Sequence, residues 1–482
     1  MKILFQEPFV PRSITYGKYS EAAGNNTFPI GMASLARHVR DQGHHVTFLD
    51  PTLEGMNTER YLDFLKNGNF DLVGLGSTTL QIDYTLRTLD IVKSHFPSIH
   101  TVLGGVHGTL MPELTLGESQ NLDFIMLGEA EKPFSRLLRV LEERGGEEAL
   151  GAISGLARRD ASGNVVVQAY DEKDRLSEEE LLPPLYEIFP MRRYKAQISF
   201  AKRFPSYSVI ASRGCPFSCS FCNATNVLGR KVRYKPVPMV IAEIAELKEK
   251  YGARGIMFMD STFTASKRWV LEFCYAYQAS GLCLPWACGS RVDTLDEETL
   301  LAMKRAGCWS LAFGVESGNQ KSLDLVCKGV TVEKNRDTIR MCLDHGMHVL
   351  TSYILCLPGE NLADAMNTVR FARDLGNQMA FFYLPVPYPK TGLWDTCNKV
   401  GQLRKGAPWS DYNAWDYSNP VYVNPAIGKK GMQRILRKAF LTFYTTPAVI
   451  WRNLKELLLL RQSPQRYLLC LKGFLASVRR GR

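Results

Sequence analysis

The stretch "ASRGCPFSCSFCNATN", residues 211–226, places Cys215, Cys219 and Cys222 within eight consecutive positions, and no cysteine precedes them in the chain. Thiolates separated by three and two residues on a loop can point at one soft metal centre, as they do in iron-sulfur proteins. Three structural thiols are the plainer alternative, but packing explains poorly why cysteines crowd a turn that contains Pro and Gly. The spacing therefore predicts a four-iron cluster in which one iron stays open for catalysis.

Zinc is the rival metal for such a group of cysteines. A structural zinc site needs four ligands, whereas the next cysteine along the chain is Cys274 and the nearest following histidine is His345. Most other cysteines are scattered singly among apolar residues, where a thiol behaves as a small hydrophobic group. We therefore expect one cluster and no zinc site.

The cysteines open a segment in which strand-like runs alternate with helical patterns. The six runs are "YSVIAS" (207–212), "GIMFMD" (255–260), "LPWACGS" (284–290), "SLAFGVE" (310–316), "VLTSYILC" (349–356) and "AFFYLPVPY" (380–388). Six such units predict a partial (β/α)6 barrel, whose chemistry lies at the carboxyl ends of its strands. Besides the cysteines, the chemically unusual residues at these ends are Asp260, Ser261, Arg291, Glu316, Ser317 and Pro358.

The first third of the chain has the same alternation with shorter units. Its strand-like runs are "KILFQ" (2–6), "HVTFLD" (45–50), "LVGLGS" (72–77), "TVLGG" (101–105) and "FIMLGE" (124–129). The pattern predicts an α/β fold with a doubly wound parallel sheet, which binds ligands beyond the carboxyl ends of its strands. The residues at three of these ends are small or polar and let a bulky ligand come close: Ser77, Thr79, Gly104, Gly105, Gly128 and Glu129. No G-x-G-x-x-G follows the first run, so a dinucleotide is not expected.

These patterns divide the chain into four parts. The doubly wound domain spans residues 1–145, a hairpin and acidic linker span 146–205, the partial barrel spans 206–395, and a C-terminal extension spans 396–482. The hairpin is predicted around Ser162-Gly163-Asn164, and the linker is the proline-containing "DEKDRLSEEELLPPLYEIFP" (171–190).

Positive charge is concentrated in the C-terminal extension. The chain has a formal net charge of +11, and residues 428–482 hold thirteen Lys and Arg against the single acid Glu456. The remainder is nearly neutral, so we expect no nucleic acid partner. The N-terminal sequence lacks the zones of a secretory signal and no apolar run is long enough to span a bilayer, which predicts a cytoplasmic protein.

The extension is predicted to form three helices after Gly428, of which Thr446-Pro447 and Ser463-Pro464 open the second and third. In the third, apolar residues between Tyr467 and Val478 line one side, and Lys and Arg crowd the remainder. Such a helix suits peripheral contact with an anionic membrane, here the inner face of the cell membrane. The alternative is that the apolar side packs on the barrel and the charges are solvated.

The cysteine stretch resembles the cluster motif of the radical S-adenosylmethionine (SAM) enzymes. The resemblance continues in order through "MFMDSTFT", "GSRVDTL", "MKRAGCWSLAFGVESGNQ", "ILCLPGE" and "PVPYPKTGLW". The preceding domain, with "FPIGMASLARHVRDQGHHVTFLD" and "DFIMLGEAE", resembles the cobalamin-binding domain of one branch of that family. The resemblance implies three cofactors: a 4Fe-4S cluster, SAM and cobalamin. In that family the open iron chelates SAM, and an electron from the cluster cleaves the sulfonium to give a 5′-deoxyadenosyl radical.

The resemblance also implies roles for residues in the barrel. Cys215, Cys219 and Cys222 would ligate the cluster, and Asp260 and Ser261 stand where the family commonly has a Gly-Gly-Glu-like stretch that holds the SAM ammonium group. Arg291 would pair with the SAM carboxylate, Glu316 and Ser317 would bind the ribose hydroxyls or the amino group, and Pro358 would contact the adenine. The alternatives are an ion pair between Arg291 and Glu316 across the barrel mouth and an ordinary turn at Pro358.

Cobalamin would lie at the Ser77, Thr79, Gly104, Gly105, Gly128 and Glu129 strand ends. Many cobalamin domains carry Asp-x-His-x-x-Gly after their first strand, and "QEPFVPRSITYG" (6–17) contains no such motif. The resemblance therefore implies a cobalt without a histidine ligand from the protein. His107 is interpreted as a hydrogen-bonding residue, because a lone histidine on a loop is more often that than a ligand.

Three functions agree with these features to different degrees. The first is a cobalamin-dependent radical methyltransferase that acts on an unactivated carbon of a small or lipid-like substrate. The second keeps the cofactors but forms a ring or changes a carbon skeleton, as the anaerobic tetrapyrrole cyclases do. The third is a tRNA methylthiotransferase, which is disfavoured because those enzymes carry a second cluster on N-terminal cysteines. Each would need an electron donor such as flavodoxin or ferredoxin.

Overall fold

The computed structural model describes residues 1–11, 13–15, 26–194, 198–400, 402–414 and 417–458. The chain divides into two compact units. The first contains Met1–Thr15, Pro29–Arg193 and Asn226–Leu228 in their described parts. The second contains the described parts of Tyr16–Phe28, Tyr194–Thr225 and Gly229–Arg482.

The first unit is built on a sheet of seven strands in the order β2-β1-β3-β4-β5-β6-β7. The strands are β1 (Lys2–Gln6), β2 (His45–Leu49), β3 (Leu72–Gly76), β4 (His100–Gly104), β5 (Phe124–Met126), β6 (Leu156–Arg159) and β7 (Val165–Val167). β1 to β5 are parallel, and the order turns at β1, from which the chain winds outward in both directions. The predicted doubly wound sheet is confirmed.

The predicted hairpin forms, and it extends this sheet. β6 pairs antiparallel with β5, with Ile125 opposite Ala157, and β7 pairs antiparallel with β6. Asp160 makes the turn, because its carboxylate accepts hydrogen bonds from the backbone N–H groups of Ser162 and Asn164 at 2.9 Å each. The compact unit reaches Arg193, so the hairpin and most of the segment predicted as a linker lie in the first unit.

Seven helices of the first unit join these strands in the described residues. They are α1 (Ile30–Asp41), α2 (Thr58–Gly68), α3 (Ile82–His95), α4 (Val106–Leu110), α5 (Pro112–Glu118), α6 (Glu131–Glu142) and α7 (Glu147–Gly151). α1 buries Ala33, Ala36 and Val39, which recur every three residues on one side of the helix. α2 begins at Asn57, whose side chain accepts a hydrogen bond from the Arg60 N–H and so caps the helix.

The second unit is built on six parallel strands in the order β15-β14-β13-β12-β11-β8. The strands are β8 (Ser206–Val209), β11 (Gly255–Phe258), β12 (Trp286–Ser290), β13 (Cys308–Glu316), β14 (His348–Ile354) and β15 (Met379–Tyr383). A two-stranded antiparallel pair, β9 (Ser212–Arg213) and β10 (Arg233–Tyr234), flanks the cysteine loop. The six strands follow their order in the chain, as the predicted partial barrel requires.

Helices follow the strands of the second unit. They are α8 (Ala224–Leu228, shared with the first unit), α9 (Val237–Tyr251), α10 (Lys267–Ala279), α11 (Glu297–Arg305), α12 (Gln320–Leu325), α13 (Val332–Asp344), α14 (Leu362–Leu375) and α15 (Gly392–Lys399). Several begin at a polar side chain that accepts a backbone N–H, as predicted by simple capping rules: Ser266, Asp296, Thr331, Asn361 and Thr391.

An aromatic cluster fills one part of the interior of the second unit. The rings of Phe258, Phe263 and Trp286 lie 4.6–5.5 Å apart by centroid. Phe273 joins them edge to face, and Trp269 stacks on Phe273 at 5.5 Å. Such pairs stabilise a core beyond the area that they bury. The cluster connects β11 and β12 with α10, so it fixes the first half of the barrel on which the functional loops stand.

Two helices of the C-terminal extension are described, α16 (Gly428–Tyr444) and α17 (Pro447–Leu458). α16 packs on β15 and α14 and buries Met432, Ile435, Leu436, Ala439 and Phe443. The Tyr444 hydroxyl lies 3.3 Å from the Ala380 N and 3.0 Å from the Ala380 carbonyl oxygen. The predicted third helix lies outside the described residues. Within the described ranges, no helix combines the length and the apolar character needed to cross a membrane.

His107 in α4 is fully buried, and burial lowers its pKa from 6.5 to about 4. Between these values the unfolded chain binds a proton that the folded chain does not, so the free energy of unfolding should fall as the pH falls from 6.5 to 4. A difference of this size corresponds to about 3 kcal/mol at most. Replacing His107 with Gln should destabilise the protein at pH 7, and the gap from the unmodified protein should close towards pH 4.

Denaturant unfolding of the full chain at several pH values measures this gap. His95→Gln is the control, because His95 is exposed on α3 and its replacement should leave the gap independent of pH. A His107→Gln gap that stays constant between pH 7 and pH 4 would contradict the prediction.

Candidate functional site

The three cysteines lie on the loop between β9 and α8, at the carboxyl edge of the six-stranded sheet. The loop is held by its backbone: the Cys215 N–H donates to the Gly229 carbonyl at 3.0 Å, and the Ser220 N–H donates to the Val326 carbonyl at 2.9 Å. The Ser220 carbonyl in turn accepts from the Leu393 N–H at 2.8 Å. The loop has little regular structure of its own, so these hydrogen bonds fix where its thiols stand.

Gly214 begins the loop in a conformation that few other residues adopt. Its φ is +108°, and a Cβ at this position would fall on the Lys231 carbonyl oxygen. The chain therefore needs glycine here for two reasons, its backbone angle and its close approach to the neighbouring segment.

The three thiols are close enough to influence one another. Burial is the largest cause that raises the pKa of the Cys219 thiol, and Cys215 raises it further. Desolvation likewise raises the pKa of Cys222, with contributions from both other cysteines. Among the described residues, no three His, Cys, Asp or Glu side chains are grouped as ligands of a single metal ion. A four-iron cluster binds each thiolate at a different iron, so its cysteines need not be grouped as the ligands of one ion are.

Asp260 follows β11 and contacts the segment that leads into the cysteine loop. Its two carboxylate oxygens accept hydrogen bonds from the Ser212 hydroxyl at 2.5 Å and the Ala211 N–H at 3.2 Å. Burial raises the pKa of Asp260 to about 6, and these hydrogen bonds oppose the rise. Ser261 next to it is exposed. In the structure Asp260 fixes the backbone just ahead of the cysteines, and its predicted contact with an ammonium group stays a prediction.

Arg291 and Glu316 do not pair with each other in the structure. Arg291 donates to both carboxylate oxygens of Asp293 at 2.9 Å and to the Cys219 Sγ at 3.4 Å. Glu316 accepts from the Lys328 ammonium at 2.8 Å, and its backbone has a φ of +65° at the end of β13. The alternative interpretation of these two residues, a mutual ion pair, is therefore wrong.

Ser317 and Pro358 have more local surroundings. The Ser317 hydroxyl is buried, lies 3.0 Å from the Thr368 hydroxyl and accepts from the Asn319 N–H. Pro358 stands in a turn after β14. Glu360 fixes this turn, because the Glu360 carboxylate accepts hydrogen bonds from the Leu357 N–H at 3.0 Å and the Ser322 hydroxyl at 2.6 Å. The ligand contacts predicted for Ser317 and Pro358 remain predictions.

Sequence reasoning missed Lys328, Asp293 and Thr262. Lys328 is 6% exposed and lies near Cys219 and Cys222, and the Thr262 hydroxyl lies 4.0 Å from the Cys215 Sγ. Asp293 stands two residues after Arg291 with opposite charge, a signal that was visible in the sequence. Lys328 gave no such signal, because it is far in the chain from the groups that it contacts.

The first unit presents a separate candidate site at the carboxyl ends of β3, β4 and β5. Gly76 and Gly104 pair in register at the ends of β3 and β4. A Cβ on Gly104 would come no closer than 4.0 Å to any other group, and one on Gly76 no closer than 3.8 Å. With no side chains of their own, the two glycines leave the backbone bare at the ends of β3 and β4, the edge at which a doubly wound sheet binds its ligands.

The other predicted residues of this edge surround the glycine pair. Gly105 is exposed with a φ of +93°, and Gly128 with a φ of +63° lies against the Tyr170 ring. Ser77, Thr79 and Glu129 are buried. The Ser77 hydroxyl accepts from Thr85 at 3.0 Å, and Glu129 pairs with Arg175 at 3.4 Å. Ser77 and Glu129 thus have partners within the fold and Thr79 is buried, whereas the glycines leave backbone at this edge of the sheet.

Comparison with known proteins assigns two segments of the chain to known families. Residues 209–372 match the family model of the Radical SAM superfamily, and residues 19–138 match that of the B12 binding domain. An uncharacterized methyltransferase of Pyrococcus horikoshii is 31% identical over 95% of this chain and 95% of its own. An anaerobic magnesium-protoporphyrin IX monomethyl ester cyclase of Rubrivivax gelatinosus is 26% identical over 99% of this chain and 83% of its own.

A solved structure has the same fold. It is a radical S-adenosylmethionine methyltransferase from Kitasatospora setae with cobalamin and a [4Fe-4S] cluster bound, and it superposes with a TM-score of 0.71. The match covers 92% of this chain and 89% of that chain at 16% identity.

The contact of Gly214 with Lys231 generates a testable prediction. Gly214→Ala should lower the free energy of unfolding by about 1–2 kcal/mol for the positive φ, and further because the Lys231 carbonyl must move. Denaturant unfolding of the full chain measures the loss.

Gly346→Ala is the matched control, since Gly346 has a φ of +70° but nothing within 4 Å of a Cβ. Gly346→Ala should lose only the part of the free energy of unfolding that is due to the backbone angle. Equal losses in the two variants would show that the Lys231 contact does not constrain the cysteine loop.

Proposed function

Because this chain belongs to the cobalamin-dependent radical SAM enzymes, we propose that it methylates an unactivated carbon of a small or lipid-like substrate. The observation that carries the proposal is the cysteine loop, which is fixed by backbone hydrogen bonds at the carboxyl edge of a six-stranded parallel sheet. The Pyrococcus horikoshii relative, whose name is that of a methyltransferase, supports the direction of the chemistry.

The cofactors of the enzyme are a 4Fe-4S cluster, SAM and cobalamin. When bound, the cluster and SAM supply a carbon-centred radical by one-electron cleavage of the sulfonium, and cobalamin carries the methyl group. The chain's own residues hold these groups, orient them and exclude water and oxygen from them. A small-molecule substrate and an electron donor complete the reaction, and flavodoxin or ferredoxin is the donor class that we propose.

In this proposal Cys215, Cys219 and Cys222 ligate the cluster. Asp260 would support the cysteine loop indirectly, because its hydrogen bonds to Ala211 and Ser212 fix the backbone from which the loop starts. Ser261 is exposed beside Asp260 and is the better placed of the two to contact the SAM ammonium group.

Glu316 is proposed to bind the ribose hydroxyls of SAM. Its backbone is left-handed at the end of β13, and a buried ion pair with Lys328 fixes the position of the carboxylate. Ser317 would act through the backbone turn that its hydroxyl supports, and Pro358 would present an apolar face to the adenine. Arg291 remains predicted to pair with the SAM carboxylate, and its contact with Cys219 suggests a second role that is tested separately below.

Cobalamin is proposed to bind over the Gly76 and Gly104 pair, flanked by Gly105 and Gly128. The lack of side chains at the paired Gly76 and Gly104 supports the assignment, whereas Ser77, Thr79 and Glu129 would support the neighbouring loops. His107 would not ligate cobalt, because it is buried beneath the same edge.

A cyclase is the second candidate function. It is favoured by the Rubrivivax gelatinosus relative, which matches along 99% of this chain. A cyclase would use the same cofactors, but no methyl group from SAM would appear in its product. The fate of the methyl group therefore separates the two candidates. A tRNA methylthiotransferase gains no support from these relatives.

The proposed function predicts reciprocal losses in two variants. With SAM labelled in its methyl group, the anaerobically reconstituted protein should transfer the label to a component of a cell extract and release 5′-deoxyadenosine. Cys219→Ala should lose cluster absorbance and reduce 5′-deoxyadenosine release to background, but retain cobalamin through gel filtration. Gly104→Leu should lose cobalamin because its side chain would occupy the edge proposed for cobalamin, yet keep its cluster and still cleave SAM.

Two controls match these variants. Cys283→Ala removes an exposed thiol outside the loop, and Gly146→Leu adds a side chain where nothing lies within 4 Å; both should behave as the unmodified protein. Release of 5′-deoxyadenosine by Cys219→Ala would contradict the cluster assignment. Substrate consumption without transfer of label would favour the cyclase.

We also propose peripheral contact between the C-terminal extension and an anionic membrane surface. α17 turns Val449 and Asn453 towards the protein, where the Asn453 amide donates to the Gln378 carbonyl at 3.0 Å. Its opposite side exposes four apolar residues within a 100° arc: Ile450, Trp451 (65% exposed), Leu454 and Leu458 (73% exposed). The excess of Lys and Arg after Gly428 complements a negative surface, with each basic group adding about 1 kcal/mol of attraction.

This contact predicts co-sedimentation of the full-length protein with liposomes. Binding should rise with the anionic lipid fraction, fall with salt and be lost in the double variant Trp451→Glu, Leu454→Glu. Leu441→Glu is the control, since Leu441 is an exposed leucine on α16 outside this face. Absence of binding, or binding that the double variant retains, would overturn the membrane proposal and leave the proposed enzyme activity intact.

A further inference from the structure

Arg291 lies in direct contact with a proposed cluster ligand. It follows β12, is 6% exposed and donates from Nη1 to the Cys219 Sγ at 3.4 Å. Its predicted partner, a SAM carboxylate, would approach from outside the protein, whereas this contact is made within the fold. The contact therefore needs an explanation of its own.

The arginine is held so that Nη1 has a fixed direction. Nε and Nη2 donate to the two carboxylate oxygens of Asp293 at 2.9 Å each, and Nη2 also donates to the Lys328 carbonyl at 2.7 Å. The guanidinium carbon lies 3.7 Å from the centroid of the Phe217 ring, which belongs to the cysteine loop. A planar group fixed along one edge and stacked on one face cannot rotate away from Cys219.

The count of donors limits what else Arg291 can bind. A guanidinium has five N–H groups, and the hydrogen bonds to Asp293, Lys328 and Cys219 engage four of them. A bidentate grip on a carboxylate requires two parallel N–H groups. In this arrangement only one remains, so Arg291 can touch a SAM carboxylate through a single hydrogen bond at most.

Two neighbours support the arginine in this position. Asp293 balances its charge, which makes the burial of the guanidinium tolerable. Lys328 accepts from Arg291 through its carbonyl and pairs with Glu316 through its ammonium group, whose nitrogen lies 5.9 Å from the centroid of the Phe221 ring on the cysteine loop. The charged groups around Cys219 are thus connected, and the N–H that points at sulfur belongs to a rigid network.

We propose that Arg291 is a positioning residue that raises the reduction potential of the cluster by donating a hydrogen bond to the Cys219 thiolate. The proposal rests on the proposed function, since it requires that Cys219 ligate a cluster. It assigns to the chain, besides the three ligands, a residue that adjusts how readily the cluster accepts an electron.

The effect follows from charge. In the reducing step the electron donor protein loses one electron and the cluster gains it, no bond forms or breaks, and the cluster with its thiolates becomes more negative by one unit. A hydrogen bond from a cation to a ligand sulfur stabilises the more negative state, and hydrogen bonds to sulfur are among the factors that set cluster potentials. Flavodoxin or ferredoxin would therefore reduce the cluster more readily with Arg291 in place.

The test is a redox titration of the anaerobically reconstituted full-length protein without SAM, followed by the electron paramagnetic resonance signal of the reduced cluster. Arg291→Met should bind iron as the unmodified protein does and shift the midpoint potential to more negative values. Arg291→Lys keeps the positive charge but not the planar guanidinium. Its midpoint potential should lie between those of the unmodified protein and Arg291→Met. Arg336→Met is the matched control, because Arg336 is half-buried on α13 and its guanidinium lies 5.4 Å from the Phe371 ring centroid. The midpoint potential of the cluster should not change in this variant.

SAM affinity measured on the same samples separates the two roles of Arg291. A negative shift of potential supports the proposal whatever the change in SAM affinity, because the titration is performed without SAM. An unchanged potential at full iron content overturns it, and a tenfold weaker SAM affinity in that case would assign Arg291 to the SAM carboxylate instead. Loss of iron from Arg291→Met and Arg291→Lys with unchanged thermal unfolding would also overturn it, because Arg291 would then retain the cluster rather than tune it.

Two further outcomes are decisive. If Arg291→Met does not fold, Arg291→Lys decides alone: a shift to more negative values supports the proposal, and a potential equal to that of the unmodified protein overturns it. An unmodified protein that binds no cluster would overturn the proposed function and this inference with it, and the titration would show this before any variant is compared.

Discussion

The backbone hydrogen bonds of Ser220 are the constraint on which the cysteine site depends. Ser220 lies between Cys219 and Cys222, and its N–H and carbonyl bind to Val326 at the end of α12 and Leu393 in α15, which follow β13 and β15. The cysteine loop has little regular structure of its own. It is fixed by segments that follow β13 and β15. The thiols stand in place only when the partial barrel is complete through its sixth strand, so cluster binding and folding of the second unit are linked.

The carboxyl edges of the two sheets differ in the side chains that they carry. In the second unit Asp260, Arg291, Glu316 and Lys328 are buried charged groups at the edge of one sheet, and the exposed Asp293 pairs with Arg291. The first unit uses the absence of side chains, with Gly76 and Gly104 side by side at its edge. A small charged ligand such as SAM is recognised by ion pairs and hydrogen bonds, whereas a macrocycle needs area, and glycine provides area by leaving the backbone bare.

The strands and the cysteine ligands were within reach of sequence reasoning, because both depend on local signals. Alternating apolar runs located all eleven parallel strands within two residues of their starts, and the spacing of three cysteines identified the loop. Pairing over long distances was not within reach. The hairpin β6–β7 was recognised as a hairpin, but nothing in its sequence says that it adds to the sheet at β5. Likewise Arg291 and Glu316 have opposite charges at neighbouring strand ends, and only the structure shows that Asp293 and Lys328 take those partners.

The side chains that contact β15 have a consequence for the behaviour of the protein in concentrated solution. An open sheet of parallel strands ends in a row of backbone groups that a strand from another molecule could join, which leads to aggregation. Here the Tyr444 hydroxyl bonds to Ala380, the Tyr417 hydroxyl donates to the Phe382 carbonyl, and the Asn453 amide donates to the Gln378 carbonyl. Side chains of the C-terminal extension thus bind backbone groups of β15 that a further strand would otherwise pair with, which protects this edge of the sheet from aggregation.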